Sequence, residues 1–341
     1  MIHVGIAGLG FMGMTHYHAY QKVRGMKVRA ICEQDPVRLA GDWRSIQGNF
    51  GPRGTKMDLK GIARYSEIAD LMADPALDMI DVCLPPSWHA QVAVAASKAG
   101  KHVLCEKPIA LRTADAQRMV RAAKAAGKML MIAHVLPFVP EYAYAYMSIT
   151  SGKYGKLLGG NFKRVISDPL WIHGFYDPDV CGGPMIDLHI HDAHFIRLLF
   201  GLPKAVQSVG RMRGEVAEYF NSQFLFDDPK LVVTATSGVI DQQGRPFTHG
   251  YEIHLEKATL VFDLGDGLPL TVLTQDGKVQ RPNLGSPDMT AAFPIELKEA
   301  ARAIQTGKPS PLLDGELARD ALVLGQKQTQ SITRGGRTVK V

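Results

Sequence analysis

Three groups of residues in this chain have types and spacings that can do chemistry. The first is Gly8-Leu9-Gly10-Phe11-Met12-Gly13, which matches G-x-G-x-x-G. Gly8 permits a tight turn, Gly10 lets a pyrophosphate approach the backbone, and Gly13 lets the next helix pack on the preceding strand. Phe11 and Met12 complete the turn, and the N–H groups and dipole at the helix start favour phosphate. Glu33 follows Gly13 by 20 residues and can accept hydrogen bonds from both hydroxyls of an adenosine ribose. It would repel a 2′-phosphate, which favours NAD over NADP. Arg38, one helical turn further, could pair with a 2′-phosphate and keeps NADP open.

The second group is Glu106-Lys107-Pro108, at the end of the apolar run His102–Glu106. Ligands of an open α/β sheet bind beyond the carboxyl ends of the strands. That places Lys107 near the nicotinamide end of a dinucleotide, where an ammonium can stabilise alkoxide character or polarise a carbonyl. Leu84 and Pro85, at the end of the preceding strand, join Glu106 in the cofactor-contacting set.

The third group is Asp187-Leu188-His189-Ile190-His191-Asp192-Ala193-His194. On a helix Asp187 and His191 are i and i+4 and share a face. The carboxylate can orient and support the imidazole, leaving His191 to act as general base for a hydroxyl proton. His194 flanks the same face, whereas His189 projects about 160° away from Asp187. Gly182-Gly183 let the backbone pass close to a ligand or cofactor. Trp171, Phe175 and Tyr176, just upstream, either line a sugar-sized pocket or anchor a loop. The cluster admits two other readings. Asp187, His189 and His191 could form a zinc site of a hydrolase, but residues two apart on a helix do not converge and no further ligand set stands out, so no metal is expected. The histidines could also simply cap and solvate a helix face.

The elements around these groups alternate. Strand-like runs at 2–7, 27–32, 79–85, 102–106 and 129–134 are separated by helical stretches near 13–23, 66–73, 87–99 and 113–126, with Asp35-Pro36 opening a further helix. Apolar strands alternating with helices predict a doubly wound parallel sheet, an NAD(P)-binding Rossmann domain over 1–136. Residues 48–61, rich in Gly, Lys and Arg, form a loop insertion. After Pro137 and Pro140 the pattern changes to serial β-runs near 157–166, 205–212, 218–226, 231–239, 251–256 and 258–264. One helix, near Met185–Phe200, interrupts them, and helices near 291–305 and 315–332 close the chain. This predicts an α+β second domain over 137–341 with a large, mostly antiparallel open sheet.

Composition agrees with an ordinary globular chain. The 341 residues are 46% apolar and 21% charged with a net charge of +6. No block of like charges points to nucleic acid, and no run of about 18 apolar residues points to a membrane span. Glycines interrupt the N-terminal apolar run, unlike a secretory leader. Cys32, Cys83, Cys105 and Cys181 form no C-x-x-C pair, so the expected compartment is the reducing cytoplasm.

The chain resembles the Gfo/Idh/MocA oxidoreductase family, the glucose-fructose oxidoreductase and inositol dehydrogenase group. The resemblance rests on residues 8–13, on PPSWHAQVAVAASKAGKHVLCEKPIAL at 85–111 and on GGPMIDLHIHDAHFIRLLFG at 182–201. It implies that Lys107 contacts cofactor and substrate, that His89 lies near the cofactor, and that Asp187 and His191 belong to the active site. The implied reaction is NAD(P)-dependent hydride transfer with a secondary alcohol or ketone of a sugar, polyol or related cyclic compound. His191, His194, Trp171 and Lys107 are the expected substrate contacts, and Lys107 and Asp187–His191 are expected to meet over the nicotinamide. A homodimer or homotetramer is also implied. An NAD-recycling glycosidase or lyase and a non-enzymatic NAD-binding regulator remain as readings of the same fold. The chain departs from the family where His189 replaces a frequent glycine and His194 a frequent aspartate. It also lacks the arginine often found before Phe138.

Overall fold

The computed structural model describes residues 1–285 and 288–341. The chain divides into two compact units, Met1–Phe138 with Asp288–Arg319, and Val139–Pro287 with Asp320–Val341. The sequence reading puts the first boundary at 136. It assigns 288–319 to the second domain, whereas this segment groups with the first unit.

The first unit contains β1 (Ile2–Ala7), α1 (Phe11–Tyr20), β2 (Met26–Cys32), α2 (Pro36–Leu39), β3 (Ala63–Tyr65), α3 (Ile68–Ala73), β4 (Met79–Val82), α4 (Pro86–Lys98), β5 (His102–Glu106), α5 (Thr113–Ala125) and β6 (Leu130–Ala133). The strands form one parallel sheet in the order β3-β2-β1-β4-β5-β6, the doubly wound dinucleotide-binding arrangement. β4 is buried along its whole length, as a strand covered on both faces must be. Asp35 caps α2 by accepting from the N–H groups of Val37 (2.8 Å) and Arg38 (3.3 Å), with Pro36 at the first helical position.

The 48–61 insertion is anchored rather than loose. Trp43 is fully buried, donates to the Arg38 carbonyl (2.9 Å) and meets Tyr17 edge-on (4.9 Å). Phe50 packs edge-on to Phe11 (4.6 Å) and stacks on Phe293 (5.7 Å, 15°).

The second unit contains α6 (Pro140–Thr150), β7 (Leu157–Ser167), a π-helical turn (Pro184–Leu188), α7 (Ile190–Phe200), β8 (Ala205–Arg213), β9 (Val216–Leu225), β10 (Val232–Ile240), β11 (Thr248–Leu255), β12 (Ala258–Asp263), β13 (Leu268–Thr274) and β14 (Val279–Gln280). Toward the C-terminus come α8 (Ala292–Thr306), which lies in the first unit, α9 (Gly315–Thr333) and β15 (Val339–Lys340). Nine strands pair in the order β14-β13-β12-β11-β7-β10-β9-β8-β15, antiparallel except for β10 with β7. Burial alternates along β9, with Phe220, Ser222 and Phe224 inward and Asn221 and Gln223 exposed. One sheet face is therefore core and the other is open.

α7 is tied to β7 by a buried bidentate pair. Arg164 donates from Nε (2.7 Å) and an Nη (3.0 Å) to the Asp192 carboxylate, with the two residues 3% and 0% exposed. Deleting one partner would strand a charge in the interior. Asp192→Ala should therefore cost about 3–5 kcal/mol, read by denaturant unfolding. A loss below about 1 kcal/mol, the range of surface pairs, would contradict this account.

Candidate active site

The glycine turn begins where β1 ends. Gly8 has φ +95°, and a Cβ there would come within 2.6 Å of the Cys83 carbonyl oxygen. A Cβ at Gly13 would strike the Gly8 carbonyl, so α1 can lie against the turn only because both are glycine. A Cβ at Gly10 would meet no neighbouring atom within 4 Å, leaving space over the backbone beside the first N–H groups of α1. Phe11 and Met12 are half-exposed at this helix start. The cradle fits a dinucleotide pyrophosphate.

Glu33 follows the last residue of β2 and is built into the turn. Its Oε2 accepts from the Leu9 N–H (2.8 Å) and its Oε1 from the Asp35 N–H (3.0 Å). Its remaining lone pairs are what a ribose can use. Arg38 lies with its Nε 3.5 Å from the Asp35 carboxylate, so its charge already has a partner. Both observations favour NAD.

At the end of β4, Leu84 is half-buried and Pro85 exposed. Lys107 follows β5 and is the one half-exposed residue between Val103 and Ala110. The carboxylate of Glu106, 6% exposed, accepts the Lys107 N–H at Oε2 (3.1 Å). Its Oε1 lies 3.1 Å from His16 Nε2. His89 is fully buried, and its ring nitrogens lie 2.8 Å from the carbonyl oxygens of Leu84 and Pro108. The ring lies between the two turns and presents no nitrogen outward. Burial lowers its pKa, opposed by those carbonyls.

Sequence reasoning missed His16, Tyr20 and Asp81. Asp81, fully buried in β4, accepts from His16 Nδ1 (2.9 Å) and from the Tyr20 hydroxyl (2.9 Å). Cys83 Sγ approaches the same carboxylate (3.5 Å) and His16 Nδ1 (3.6 Å). Ligand-type atoms of His16, Asp81 and Cys83 thus lie within 4.8 Å of one another, hydrogen-bonded among themselves. An aspartate inside an apolar strand was the available signal, because a buried carboxylate requires partners.

In the second unit, the stretch from Gly182 to Ile196 is buried at every position except Asp187 and His191, which are half-exposed. The His189 N–H donates to the Pro184 carbonyl five residues earlier (2.8 Å), closing the π turn just before α7. Such turns recur at functional sites. Gly182 and Gly183 take positive φ against Ile186 and Val216, so their role here is to turn the chain tightly into this segment. His189 points the other way. Its Nδ1 meets the Ser237 hydroxyl (2.8 Å), its Nε2 meets Gln328 (3.0 Å), and burial pushes its pKa down to about 4. Neither ring nitrogen is available to join a zinc set with His191. His194, expected as a substrate contact, is 1% exposed and so is turned into the interior. Trp171 is 65% exposed beside Leu170. Phe175 is buried, and Tyr176 lies under the Arg213 guanidinium at 3.9 Å, so these two anchor the loop that presents Trp171.

Comparison with known proteins agrees with this geometry. The family described as "Oxidoreductase family, NAD-binding Rossmann fold" matches residues 2–134, and its "GFO/IDH/MocA C-terminal domain" matches residues 142–261. The myo-inositol 2-dehydrogenase of Thermotoga maritima is 27% identical, over 100% of this chain and 98% of its own. The 1,5-anhydro-D-fructose reductase of Ensifer adhaerens is 28% identical, over 65% of this chain and 68% of its own. A levoglucosan dehydrogenase solved with NADH and levoglucosan superposes with a TM-score of 0.84 at 21% identity, covering 100% of this chain and 99% of that one.

NAD should bind tighter than NADP. Glu33→Ala should weaken NAD binding by about tenfold or more, because hydrogen bonds to a charged group contribute about 1.5–3 kcal/mol each. Calorimetric titration measures both; tighter binding of NADP, or an unchanged NAD affinity in the variant, would contradict the assignment.

Proposed function

The chain belongs to the GFO/IDH/MocA family of oxidoreductases with an NAD-binding Rossmann fold, and on that premise we propose that it transfers a hydride between NAD and a secondary alcohol or ketone of a sugar, polyol or related cyclic compound. One observation carries the reading. Lys107, Asp187 and His191 are half-exposed within stretches that are otherwise buried, so a ligand can reach them there. The sugar and polyol names of the relatives support the substrate class.

NAD, held at the Gly8–Gly13 turn and by Glu33, supplies the hydride acceptor or donor when bound. His191 removes the proton of the substrate hydroxyl. Asp187, one turn earlier, orients the ring and stabilises its protonated form. Lys107 stabilises the negative charge that develops on the oxygen. Trp171 offers an apolar face to a sugar ring.

Two assignments accompany this reading. The chain forms a homodimer or homotetramer through the open sheet face, which exposes Val209 on β8, Val232 on β10 and Leu273 on β13. It works in the cytoplasm, a reading supported by the thiol state of Cys32, Cys83 and Cys105. Among the described residues no helix is long and apolar enough to cross a membrane. Light scattering of the purified protein should give two or four chains; a monomer would remove the first assignment.

Replacing His191 with Ala should lower turnover by about 10²–10⁴-fold with NAD affinity nearly unchanged. Lys107→Ala should also lower turnover. Combining Asp187→Asn with His191→Ala should be little worse than His191→Ala alone, because the two act as one unit. Near wild-type turnover of His191→Ala, on a sugar or polyol that reduces NAD, would remove the mechanism.

A further inference from the structure

We propose that His16 is a positioning residue for Lys107, acting through Glu106 from the helix that also forms the dinucleotide turn. The inference rests on the catalytic reading of Lys107 given above. His16 lies in α1, three residues after Gly13, and is fully buried. Its two ring nitrogens point at two different strands. Nδ1 meets Asp81 on β4 at 2.9 Å, and Nε2 lies 3.1 Å from Oε1 of Glu106 on β5. The second contact is at ion-pair distance but poorly aligned as a hydrogen bond. The other oxygen of Glu106 accepts the backbone N–H of Lys107 itself. Imidazole, carboxylate and main chain thus form one line from α1 to Lys107, the half-exposed residue of this turn.

The surroundings favour a charged ring. The groups facing His16 are Asp81 on β4, Cys83 just beyond it, Glu106 on β5, Tyr20 by way of Asp81, and Glu296 on α8. The Phe293 ring, also from α8, closes the pocket 6.0 Å away. Burial alone would lower the His16 pKa, but the Asp81 carboxylate beside it, with Cys83, holds it well above the ordinary value. Burial raises Glu296, whose two oxygens have no hydrogen-bond partner, and it also raises the Cys83 thiol and the Tyr20 hydroxyl. An imidazolium answering Asp81 and Glu106 keeps the pocket's charge small, and it fixes which way the Glu106 carboxylate turns. In that arrangement one oxygen of Glu106 faces His16 and the other accepts the Lys107 N–H.

Two near-isosteric variants separate positioning from filling space. The amide of His16→Asn reaches the Nδ1 place and keeps Asp81 but loses Glu106. The longer His16→Gln reaches the Nε2 place and keeps Glu106. The proposal expects Asn to lower kcat by up to about 10²-fold, the cost of a slightly misplaced group, and Gln to stay within a few-fold of wild type. NAD affinity should change little in both. His16→Asn combined with Lys107→Ala should be no slower than Lys107→Ala alone. Equal effects of Asn and Gln, or an additive double variant, would overturn the proposal. Normal turnover of Lys107→Ala would instead remove the catalytic reading of Lys107. A readout independent of activity and of variant folding is ¹H–¹⁵N NMR of the His16 ring in the wild-type protein. Both nitrogens should carry protons at neutral pH. A neutral His16, or one stoichiometric metal ion per chain in the purified protein, would overturn the proposal.

Discussion

Asp81 sits in an inner strand of a parallel sheet with none of its surface exposed, and the cofactor end of the first unit is arranged around that buried charge. A carboxylate removed from water must be hydrogen-bonded and paired. Its two closest partners, His16 and Tyr20, come from α1 and lie four residues apart on one helical face. The helix can satisfy Asp81 in only one rotational setting, and that setting also presses Gly13 onto the Gly8 carbonyl. The glycines and the charge pair therefore specify the same docking of α1. The second nitrogen of His16 extends the arrangement to Glu106, and His89 lies between the Leu84 and Pro108 carbonyls of the same two turns.

The same logic operates in the second unit with different residues. Asp192, His189 and His194 are buried polar groups of the segment, the first two answered by Arg164, Ser237 and Gln328. Satisfying them turns one side of the 184–200 segment firmly inward. Asp187 and His191 are what remains on the other side. The exposed pair is defined as much by its buried neighbours as by its own spacing.

Most of the fold was legible in the sequence because its signals were local. The glycine turn, the apolar strands, the Asp35-Pro36 cap and the serial β-runs each depend on a few adjacent residues. β3 was missed because it has three residues and no buried face. β13 was missed because Pro269 interrupts the run. The π turn at 184–188 was read as the start of an ordinary helix, since hydrophobic spacing over five residues does not distinguish the two. That His189 points away from Asp187 was expected from helix geometry, and His189 is indeed buried while Asp187 and His191 are half-exposed. The place of His89 between two turns and the burial of His194 were not expected, because side-chain direction there depends on segments distant in sequence. His16 is the sharpest case, with its partners 65 and 90 residues away.

The central claim is that a carbon-bound hydrogen of a sugar or polyol leaves as a hydride to NAD. Its most direct test gives the purified protein NAD and a substrate carrying deuterium at the secondary carbinol carbon, then follows the label by NMR. The account predicts net formation of NADH, equal to the ketone formed, with deuterium at C4 of the nicotinamide. Substrate turnover with no net NADH would contradict it and point to an enzyme that oxidises and re-reduces within each cycle.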